Sequence, residues 1–289
     1  MEKIHTILFY KYVNIEDASV FRRKHLKFCK NLGIKGRILL ASEGINGSVA
    51  GTKEQIDIYK EEIRRDTKFS DIIFKEETGI CLPFKKMAIK IKKEIVNFGQ
   101  NIDLCKSGKH ISAEDFLDFY KDNENVIILD VRNDYESRVG KFKNAITSEI
   151  KNFREFPKFA ETLYDKKEKK IVMYCTGGIR CEKASAYLIQ QGFKDVNQLD
   201  GGILTFGKKF PDTIWEGKCF VFDKRIISKI NSGESTITKC EICHILCDLY
   251  KNCANKECDK FASLCIECEK RFGGCCSEKC FNSPIKMIL

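Results

Sequence analysis

The distribution of cysteine most strongly constrains how this chain can fold. Ten of its 16 cysteines lie between Cys240 and Cys280, and the other six are scattered before that segment. The N-terminal residues contain only a short apolar run, interrupted at Lys11, so we expect no secretion signal and a reducing, cytoplasmic environment. In such an environment clustered cysteines bind metal more often than they form disulfides. The sequence therefore predicts that residues 218–289 form a segment chemically distinct from the rest of the chain.

The spacing of these cysteines indicates two metal sites. Two cysteines separated by two to four residues can place both thiolates on one tetrahedral ion, and a second such pair completes the site. We expect structural Zn²⁺, which would supply much of the folding free energy of a segment with few apolar residues. Disulfides or an iron–sulfur cluster are the alternatives, and Cys275 could replace Cys276 in the second site. The predicted ligands form two interleaved quartets: Cys240, Cys243, Cys265 and Cys268, and Cys253, Cys258, Cys276 and Cys280.

Composition and charge limit the class of protein. Of the 289 residues, 43% are hydrophobic and 32% are charged, which is typical of globular domains, and no apolar stretch approaches the length of a membrane-spanning helix. The net charge of +10 divides into +7 for residues 1–96, zero for residues 97–217 and +3 for residues 218–289. Basic flanking modules favour a polyanionic partner such as nucleic acid, although a lysine-rich soluble surface has the same composition.

Residues 1–98 are predicted to form a ferredoxin-like α+β domain with a split βαβ arrangement. Gly33 suits the left-handed cap of the first helix, and Thr52 with Gln55 matches a capping box at the start of the second. We expect one small antiparallel sheet with both helices on one face. The predicted elements are a strand from Ile4 to Val13, a helix from Ile15 to Leu32, two strands within Arg37 to Gly51, a helix after Thr52, and strands around Asp71 to Glu76 and Met87 to Val96.

Two features of this domain are candidates for RNA contact. The turn from Glu43 to Gly47 contains two glycines, which permit close approach of a phosphate, but an ordinary hairpin turn has the same pattern. Basic side chains form the second feature, because they lie opposite the apolar stripe of the first helix and near the last strand. The candidate RNA-binding residues are Arg22, Arg23, Lys24, Lys85, Lys86 and Lys92.

Residues 108–217 are predicted to form an α/β domain with a parallel sheet, joined to the first domain by a polar linker from Asn97 to Lys109. Helices and strands alternate here, and Ser112 is the expected cap of the first helix. The strands from Val126 to Val131 and from Lys170 to Tyr174 are continuous apolar runs. Such runs are typical of strands buried on both faces of a sheet.

The segment CTGGIRC, Cys175 to Cys181, carries the clearest chemical signal. Cys175 follows an apolar strand, at the edge where open α/β sheets bind ligands, and a helix follows the loop. Two glycines let backbone N–H groups point at the sulfur, while the helix N-terminus and Arg180 add positive charge. These features predict a lowered thiol pKa and a nucleophilic Cys175, with a buried structural cysteine as the alternative. The predicted active loop also comprises Thr176, Gly177, Gly178 and Ile179.

Three further residues are assigned roles around this loop. Cys181, on the first turn of the helix, could resolve an oxidised Cys175 into a disulfide, or it could be a helix-packing thiol. Asp130 and Arg132 follow the apolar strand of the same domain. We expect them to brace the loop through hydrogen bonds and ion pairs, with substrate contact as the alternative.

Six blocks of sequence occur in order along the chain. They are RILLASEGINGSVAG (Arg37 to Gly51), KKMAIKIKKEIVNFG (Lys85 to Gly99), DVRNDYE (Asp130 to Glu136), GKFKNAI (Gly140 to Ile146), NFREFP (Asn152 to Pro157) and CTGGIRCEKAS (Cys175 to Ser185). DVR and the later loop resemble the rhodanese fold, and the full set resembles the rhodanese-domain tRNA uridine hydroxylases. The resemblance implies an enzyme that uses O₂ and a reductant of unspecified identity to convert wobble uridine, in the anticodon arm of tRNA, to 5-hydroxyuridine. It also implies that Cys175 is the active-site cysteine.

Several mechanisms and rival functions fit these residues. A Cys175 thiolate that adds to C6 of uracil would make C5 electron-rich; alternatively, Cys175 carries a reactive sulfur or oxygen species. A rhodanese-type sulfurtransferase and a zinc-dependent RNA- or partner-binding protein are the rival functions. The four histidines show no two-His-one-carboxylate pattern, so we do not expect a mononuclear iron centre. Because the charge excess lies in the flanking modules, residues 108–217 alone are expected to bind tRNA weakly.

Overall fold

The structure, a computed structural model, describes residues 3–121, 125–233 and 236–283. Within them the chain folds as three consecutive parts: an α+β N-terminal domain, a central α/β domain and a C-terminal segment built around cysteines. This architecture confirms the predicted fold class. Among the described helices, none has the length and apolar character needed to cross a membrane.

The N-terminal domain is a five-stranded sheet with strand order β4-β1-β3-β2-β5 and two helices. Its elements are β1 (Ile4–Tyr12), α1 (Ala18–Leu32), β2 (Lys35–Ala41), β3 (Gly44–Gly51), α2 (Lys53–Arg65), β4 (Phe74–Gly79) and β5 (Met87–Ile91). The first four strands pair antiparallel, but β5 pairs in parallel with β2, so the prediction of a wholly antiparallel sheet is wrong at this edge. The reason lies in the strand directions: β2 and β5 both run opposite to β4. When β5 reaches the far edge of the sheet beside β2, the two strands are therefore parallel.

Local capping signals set the ends of the two helices. The Asp17 side chain accepts hydrogen bonds from the backbone N–H groups of Ser19 and Val20, so α1 begins at Ala18 rather than at Ile15. Gly33 ends this helix in the left-handed region, with φ 79°. The predicted capping box at the start of α2 is also present. Both helices pack their apolar faces onto the sheet, as expected.

The central domain has a five-stranded, wholly parallel sheet with strand order β6-β11-β10-β7-β9, which confirms the predicted parallel sheet. The Ser112 hydroxyl accepts the Asp115 backbone N–H and caps α3, as predicted. The elements are β6 (Lys109–Ile111), α3 (Ala113–Lys121), β7 (Val126–Asp130), α4 (Asp134–Val139), β8 (Gly140–Phe142), β9 (Ile146–Thr147), α5 (Phe156–Glu161), β10 (Lys170–Tyr174), α6 (Ile179–Gln190), β11 (Asp195–Leu199), α7 (Gly202–Lys209) and β12 (Trp215–Gly217).

Residues on both sides of the central domain pack into its core. Phe98, within the stretch expected to be a polar linker, is 1% exposed and contacts the rings of Phe153 and Phe156. Beyond the domain, Cys219 is fully buried in the same core cluster as Trp215. The central domain therefore shares its core with the segments that connect it to its neighbours.

The C-terminal segment has short elements and two small cores. Its elements are β13 (Cys219–Phe220), β14 (Ile227–Ser228), β15 (Tyr250–Asn252), β16 (Phe261–Ser263), α8 (Ile266–Arg271) and α9 (Glu278–Phe281). One core joins four cysteines to Leu264, and the other joins four cysteines to Ala254 and Ala262. Cysteine side chains thus replace most of the apolar residues that a core of this size would contain.

Candidate active site

Cys175 lies in the tight loop between β10 and α6. The backbone N–H of Gly178 points at the sulfur, with a nitrogen to sulfur distance of 3.1 Å. Gly178 can adopt this geometry because its φ is 102°, a region that residues with a side chain rarely occupy. Cys175 itself is fully buried. The glycine pair therefore does what the sequence suggests: it turns backbone donors towards a sulfur at the end of a parallel strand.

The surroundings of Cys175 favour its thiolate form. Burial alone would raise its pKa, but a hydrogen bond from the Cys181 thiol, the charge of Arg180 and the backbone N–H groups of Arg180 and Gly178 together lower the pKa to about 5. The neighbouring Cys181 shows the opposite shift, because burial and its hydrogen bond to Cys175 raise its pKa. Cys181 is thus placed beside Cys175 as the donor of a hydrogen bond, at the start of α6.

We expect Cys175 to titrate well below an ordinary thiol, whose pKa is about 8.5. A lowered pKa means that the thiolate persists as pH falls from neutral and is half protonated near pH 5. The ultraviolet absorbance of the thiolate, taken as the difference between the wild-type protein and a Cys175→Ser variant, measures this titration. A difference spectrum that develops only above neutral pH would contradict the prediction.

Arg180 is held by a carboxylate that the sequence did not mark as its partner. Its guanidinium donates two hydrogen bonds to Glu136, of 2.5 and 2.8 Å, and both side chains are buried. The Thr176 hydroxyl lies 3.4 Å from the same carboxylate. The Arg180 guanidinium is therefore fixed in position near Cys175. Glu136 balances much of the positive charge of Arg180.

Asp130 and Arg132 form a fully buried ion pair behind the loop. Arg132 donates to both carboxylate oxygens of Asp130, and the hydroxyls of Tyr174 and Ser137 donate to the same carboxylate at 2.9 and 3.0 Å. Both charged residues have 0% exposure. This placement is a bracing arrangement, with neither side chain open to a substrate.

A second glycine turn supports the loop from the other side. The backbone N–H groups of Ile203 and Leu204, at the start of α7, donate to the carbonyls of Cys175 and Thr176. A Cβ on Gly202 would lie only 2.3 Å from the Cys175 carbonyl oxygen, so this position admits no side chain. Sequence reasoning missed this support, although the Gly-Gly pair soon after a strand was a usable signal.

The N-terminal domain covers the loop that carries Cys175. A Cβ on Gly177 would lie 2.7 Å from Leu8 of β1, and one on Gly178 would lie 2.8 Å from the Tyr10 hydroxyl of the same strand. Lys183 of α6, almost fully buried, donates hydrogen bonds to Glu43 at 2.9 Å and to Glu94 at 2.7 Å. The turn that contains Glu43 is therefore a hairpin turn that docks on the central domain.

A cavity of about 690 Å³ lies between the two domains, with Cys175 among the residues that line it. Its carboxylates already have cationic partners: Glu77 and Asp223 bind Arg225, and Glu94 binds Lys183. Five other cations of the lining form no salt bridge within the described residues. They are Arg37, Lys75, Lys92, Lys93 and Arg154.

The predicted RNA-binding residues lie on α1 and at either end of β5. Arg22 of α1 donates a hydrogen bond to the carbonyl of Ile89 in β5, which ties the helix to that strand. Only Lys92, directly after β5, lines the cavity. The others are exposed on α1 or just before β5: Arg23, Lys24, Lys85 and Lys86.

The C-terminal cysteines form two groups with the predicted membership. Cys240, Cys243, Cys265 and Cys268 form one, and Cys253, Cys258, Cys276 and Cys280 form the other. Within each group all sulfur atoms lie within 4.8 Å of one another. Four thiolates at about 2.3 Å from a tetrahedral Zn²⁺ lie about 3.8 Å apart, so the donor set and its spacing fit this ion.

Three sulfur to sulfur distances within these groups agree with ligation rather than with disulfides. They are 3.6 Å for Cys243 and Cys265, 3.7 Å for Cys258 and Cys276, and 3.8 Å for Cys276 and Cys280. A disulfide needs about 2.05 Å. All 16 cysteines lie in the described residues, and none of them forms a disulfide there.

Comparison with known proteins agrees with this three-part organisation. Three family models match the chain: a UPF0176 acylphosphatase like domain over residues 4–95, a Rhodanese-like domain over residues 112–209 and a Rhodanase C-terminal region over residues 216–281. Among solved structures, a rhodanese-related protein from Thermoplasma volcanium is 27% identical and covers 35% of this chain and 92% of its own, with a TM-score of 0.30.

Relatives that match almost the whole chain show the family. A protein named tRNA uridine(34) hydroxylase from Cytophaga hutchinsonii is 42% identical over 289 residues, which cover 99% of this chain and 92% of the relative. A protein of the same name from Bacillus licheniformis is 44% identical over 285 residues, which cover 96% of this chain and 88% of the relative. Since the similarity extends over all three parts of the structure, the chain belongs to the tRNA uridine(34) hydroxylase family.

Proposed function

We propose that this protein hydroxylates C5 of the uridine at position 34 of tRNA, the reaction for which its relatives are named. One observation carries the proposal: Cys175, a thiol of lowered pKa, lines a cavity that two domains enclose and that cations surround. A thiolate suits this reaction because C5 of uracil is a poor nucleophile until a group adds at C6. The cations suit a polyanionic substrate.

In the proposed reaction the Cys175 thiolate forms a bond to C6, and the electron pair of the C5=C6 double bond moves onto C5 and O4. C5 then forms a bond to an oxygen atom that derives from O₂. Loss of the C5 proton and departure of the thiolate restore the double bond. The net change inserts one oxygen atom into the C5–H bond, and the second becomes water with two electrons and two protons from a reductant.

Two residues are proposed to support the nucleophile. Cys181 donates a hydrogen bond to the Cys175 thiolate, and its position also permits a disulfide with Cys175 if that sulfur is oxidised. Arg180 supplies positive charge from the place in which Glu136 holds it. Asp130 and Arg132 act only by keeping the loop in position.

We assign tRNA binding to two adjacent groups of cations. The first lines the cavity and comprises Arg37, Lys92, Lys93 and Arg154, all exposed. The second comprises Arg22, Arg23, Lys24, Lys85 and Lys86, on α1 and before β5. Because β5 leads from Lys86 to Lys92, the two groups form one basic path for the RNA backbone, from the surface to the cavity.

Replacing Lys92 and Lys93 together with glutamine is expected to weaken tRNA binding and to reduce its dependence on salt. Removing one phosphate contact to a single-stranded segment reduces the slope of log affinity against log salt by about 0.7, so two contacts account for about 1.4. Fluorescence anisotropy at several salt concentrations measures both quantities. The full chain is used because the central domain shares its core with Phe98 and Cys219.

Lys53→Gln is the matched control, because Lys53 is an exposed lysine of the same domain that does not line the cavity. This variant is expected to keep the wild-type slope. Equal slopes for all three proteins would contradict the placement of the RNA at the cavity.

Nucleoside mass spectrometry of tRNA tests the proposed function directly. A strain that lacks the protein should lose 5-hydroxyuridine at position 34 and regain it when the gene is restored. A rhodanese-type sulfurtransferase would use the same loop cysteine, but its loss would remove a thiolated nucleoside and leave the hydroxylated one. Unchanged 5-hydroxyuridine in the deletion strain would overturn the proposal.

We further propose that Zn²⁺ occupies both cysteine quartets, since four thiolates per site select this ion among the common divalent metals. Four protein ligands fill a tetrahedral coordination shell, so the proposed role of the ion is structural.

We also propose a cytoplasmic location, where tRNA is available and thiols stay reduced.

A further inference from the structure

Lys75, on β4 of the N-terminal domain, lies against the loop that carries Cys175. A Cβ on Gly201 would lie 3.2 Å from Lys75 Cε, and a Cβ on Gly177 would lie 3.9 Å from Lys75 Cδ. The ammonium lies over the ring of Tyr10, with Nζ 5.0 Å from the ring centroid. Lys75 and Cys175 also line the same cavity. The N-terminal domain thus places a cation against the loop that carries Cys175, in the cavity that both residues line.

Lys75 differs from Arg180 and Lys183, the cations of the loop and the helix after it, because no carboxylate holds it. Arg180 is bound by Glu136, and Lys183 is bound by two carboxylates of the N-terminal domain. Within the described residues, Lys75 forms no salt bridge. Its ammonium is therefore free to bind a group of the substrate.

The electrostatic surroundings of Lys75 agree with a role as a donor. Burial lowers its pKa, and the negative charges of Cys175, Asp200 and Glu182 oppose this shift only in part. A lysine with a lowered pKa gives up a proton more readily than an exposed one, and it recovers that proton within the same reaction. The tyrosine ring beneath it stabilises the cationic form without competing for its N–H donors.

We propose that Lys75 is a catalytic residue, which donates a hydrogen bond or a proton to O4 of the uracil as Cys175 adds to C6. The proposal rests on the proposed function. When the S–C6 bond forms, the electron pair of the C5=C6 bond develops as negative charge on O4, and the Lys75 ammonium is placed to stabilise it. When C5 forms its bond to oxygen, the C4 carbonyl is restored and the proton returns to Lys75. The N-terminal domain therefore completes the active site in addition to binding RNA.

The addition step can be measured without O₂ or a reductant. In anaerobic D₂O, the adduct takes a deuteron at C5, loses the original proton and expels the thiolate, which leaves deuterium at C5 of the uridine. Mass spectrometry of the digested tRNA locates the deuterium in the fragment that contains uridine 34. The full chain and an unmodified tRNA transcript are the only macromolecules required.

Lys75→Met, which keeps the length of the side chain and removes its charge, is expected to slow this exchange by about 100-fold. Lys75→Arg keeps a cation at this position, so its exchange rate is expected to lie between those of Lys75→Met and the wild-type protein. Lys53→Met is the matched control, because Lys53 is an exposed lysine of the same domain. This variant is expected to catalyse deuterium exchange at the wild-type rate. Exchange at the wild-type rate in Lys75→Met would overturn the role of Lys75.

A second measurement separates catalysis from a structural role. The Lys75→Met protein is expected to keep the Cys175 thiolate at neutral pH, seen in the ultraviolet difference spectrum, and to keep its thermal unfolding temperature. If Lys75→Met lost both the Cys175 thiolate and the deuterium exchange, the proposal would be overturned, because Lys75 would then act only through Cys175. No exchange in the wild-type protein would overturn the addition step itself and, with it, any role of Lys75 in that step.

Discussion

Transfer RNA from cells that carry only a Cys175→Ser variant is expected to contain no 5-hydroxyuridine above background. A serine hydroxyl has a far higher pKa than the thiol, so the environment that lowers the pKa of Cys175 to about 5 cannot create an equivalent anion. Loss of a covalent nucleophile lowers turnover by a factor on the order of 10⁴ or more. Nucleoside mass spectrometry of tRNA from a complemented deletion strain measures the outcome.

The substitution should leave the fold intact, because serine is smaller than cysteine and can accept the same hydrogen bond from the Gly178 N–H. Unchanged thermal unfolding and tRNA affinity would show this. Cys105→Ser is the matched control, since Cys105 is an exposed cysteine on a short helix before the central sheet, and it should keep full modification. Wild-type levels of 5-hydroxyuridine with Cys175→Ser would remove this residue from the mechanism.

Removal of metal is expected to unfold the C-terminal segment while the central domain stays folded. Each cysteine quartet has the geometry of a tetrahedral site, and the cores around it contain few apolar side chains. Zinc binding to such a site is worth on the order of 10 kcal/mol at neutral pH, more than these cores could supply. Most of the core around the parallel sheet is formed by apolar side chains of the central domain itself, so this domain should resist the treatment.

Elemental analysis of protein purified without chelator should find about two zinc ions per chain, one for each quartet. Limited proteolysis after dialysis against a chelator should then cut the chain between Cys240 and Cys280 first. Protein without zinc, or disulfides in freshly lysed cells, would contradict the metal assignment.

Two cysteines of equal burial provide a matched pair for this experiment. Cys268 and Cys247 are each 7% exposed, but only Cys268 belongs to a quartet. Cys268→Ser is expected to lose one zinc ion per chain, whereas Cys247→Ser should keep both. Loss of zinc from both variants would show that burial, rather than ligation, explains the effect.

Features that depend on neighbouring residues could be predicted from the sequence. The Cys175 loop, the capping box at Thr52 and the parallel β7 and β10 strands each follow from a pattern within one or two elements. The cysteine quartets also belong to this class, because a pair two to four residues apart is one chelating unit and the units are few. The environment of each such feature is set by covalent geometry and by backbone hydrogen bonds.

The direction of one strand and the partner of one arginine were not predictable in this way. The β5 strand joins the sheet at an edge far from β4, and its direction depends on the path of the whole chain. Arg180 was assigned to Cys175 by its position in the loop, but Glu136, 44 residues earlier, holds its guanidinium. Nothing in the spacing of the two residues marks them as partners.

By itself, the sequence determined that this protein has a glycine-rich cysteine loop after a parallel strand, a basic first domain and a tail whose cysteines form two quartets able to hold a metal ion. Only the tertiary structure decided that the first domain closes over the loop, with Leu8 and Tyr10 against the loop glycines and Lys75 in the cavity that Cys175 lines. Lys75 and Cys175 are 100 residues apart in the chain. Their proximity depends on how two separately folded surfaces dock, which is governed by shape and charge across the interface rather than by any local pattern.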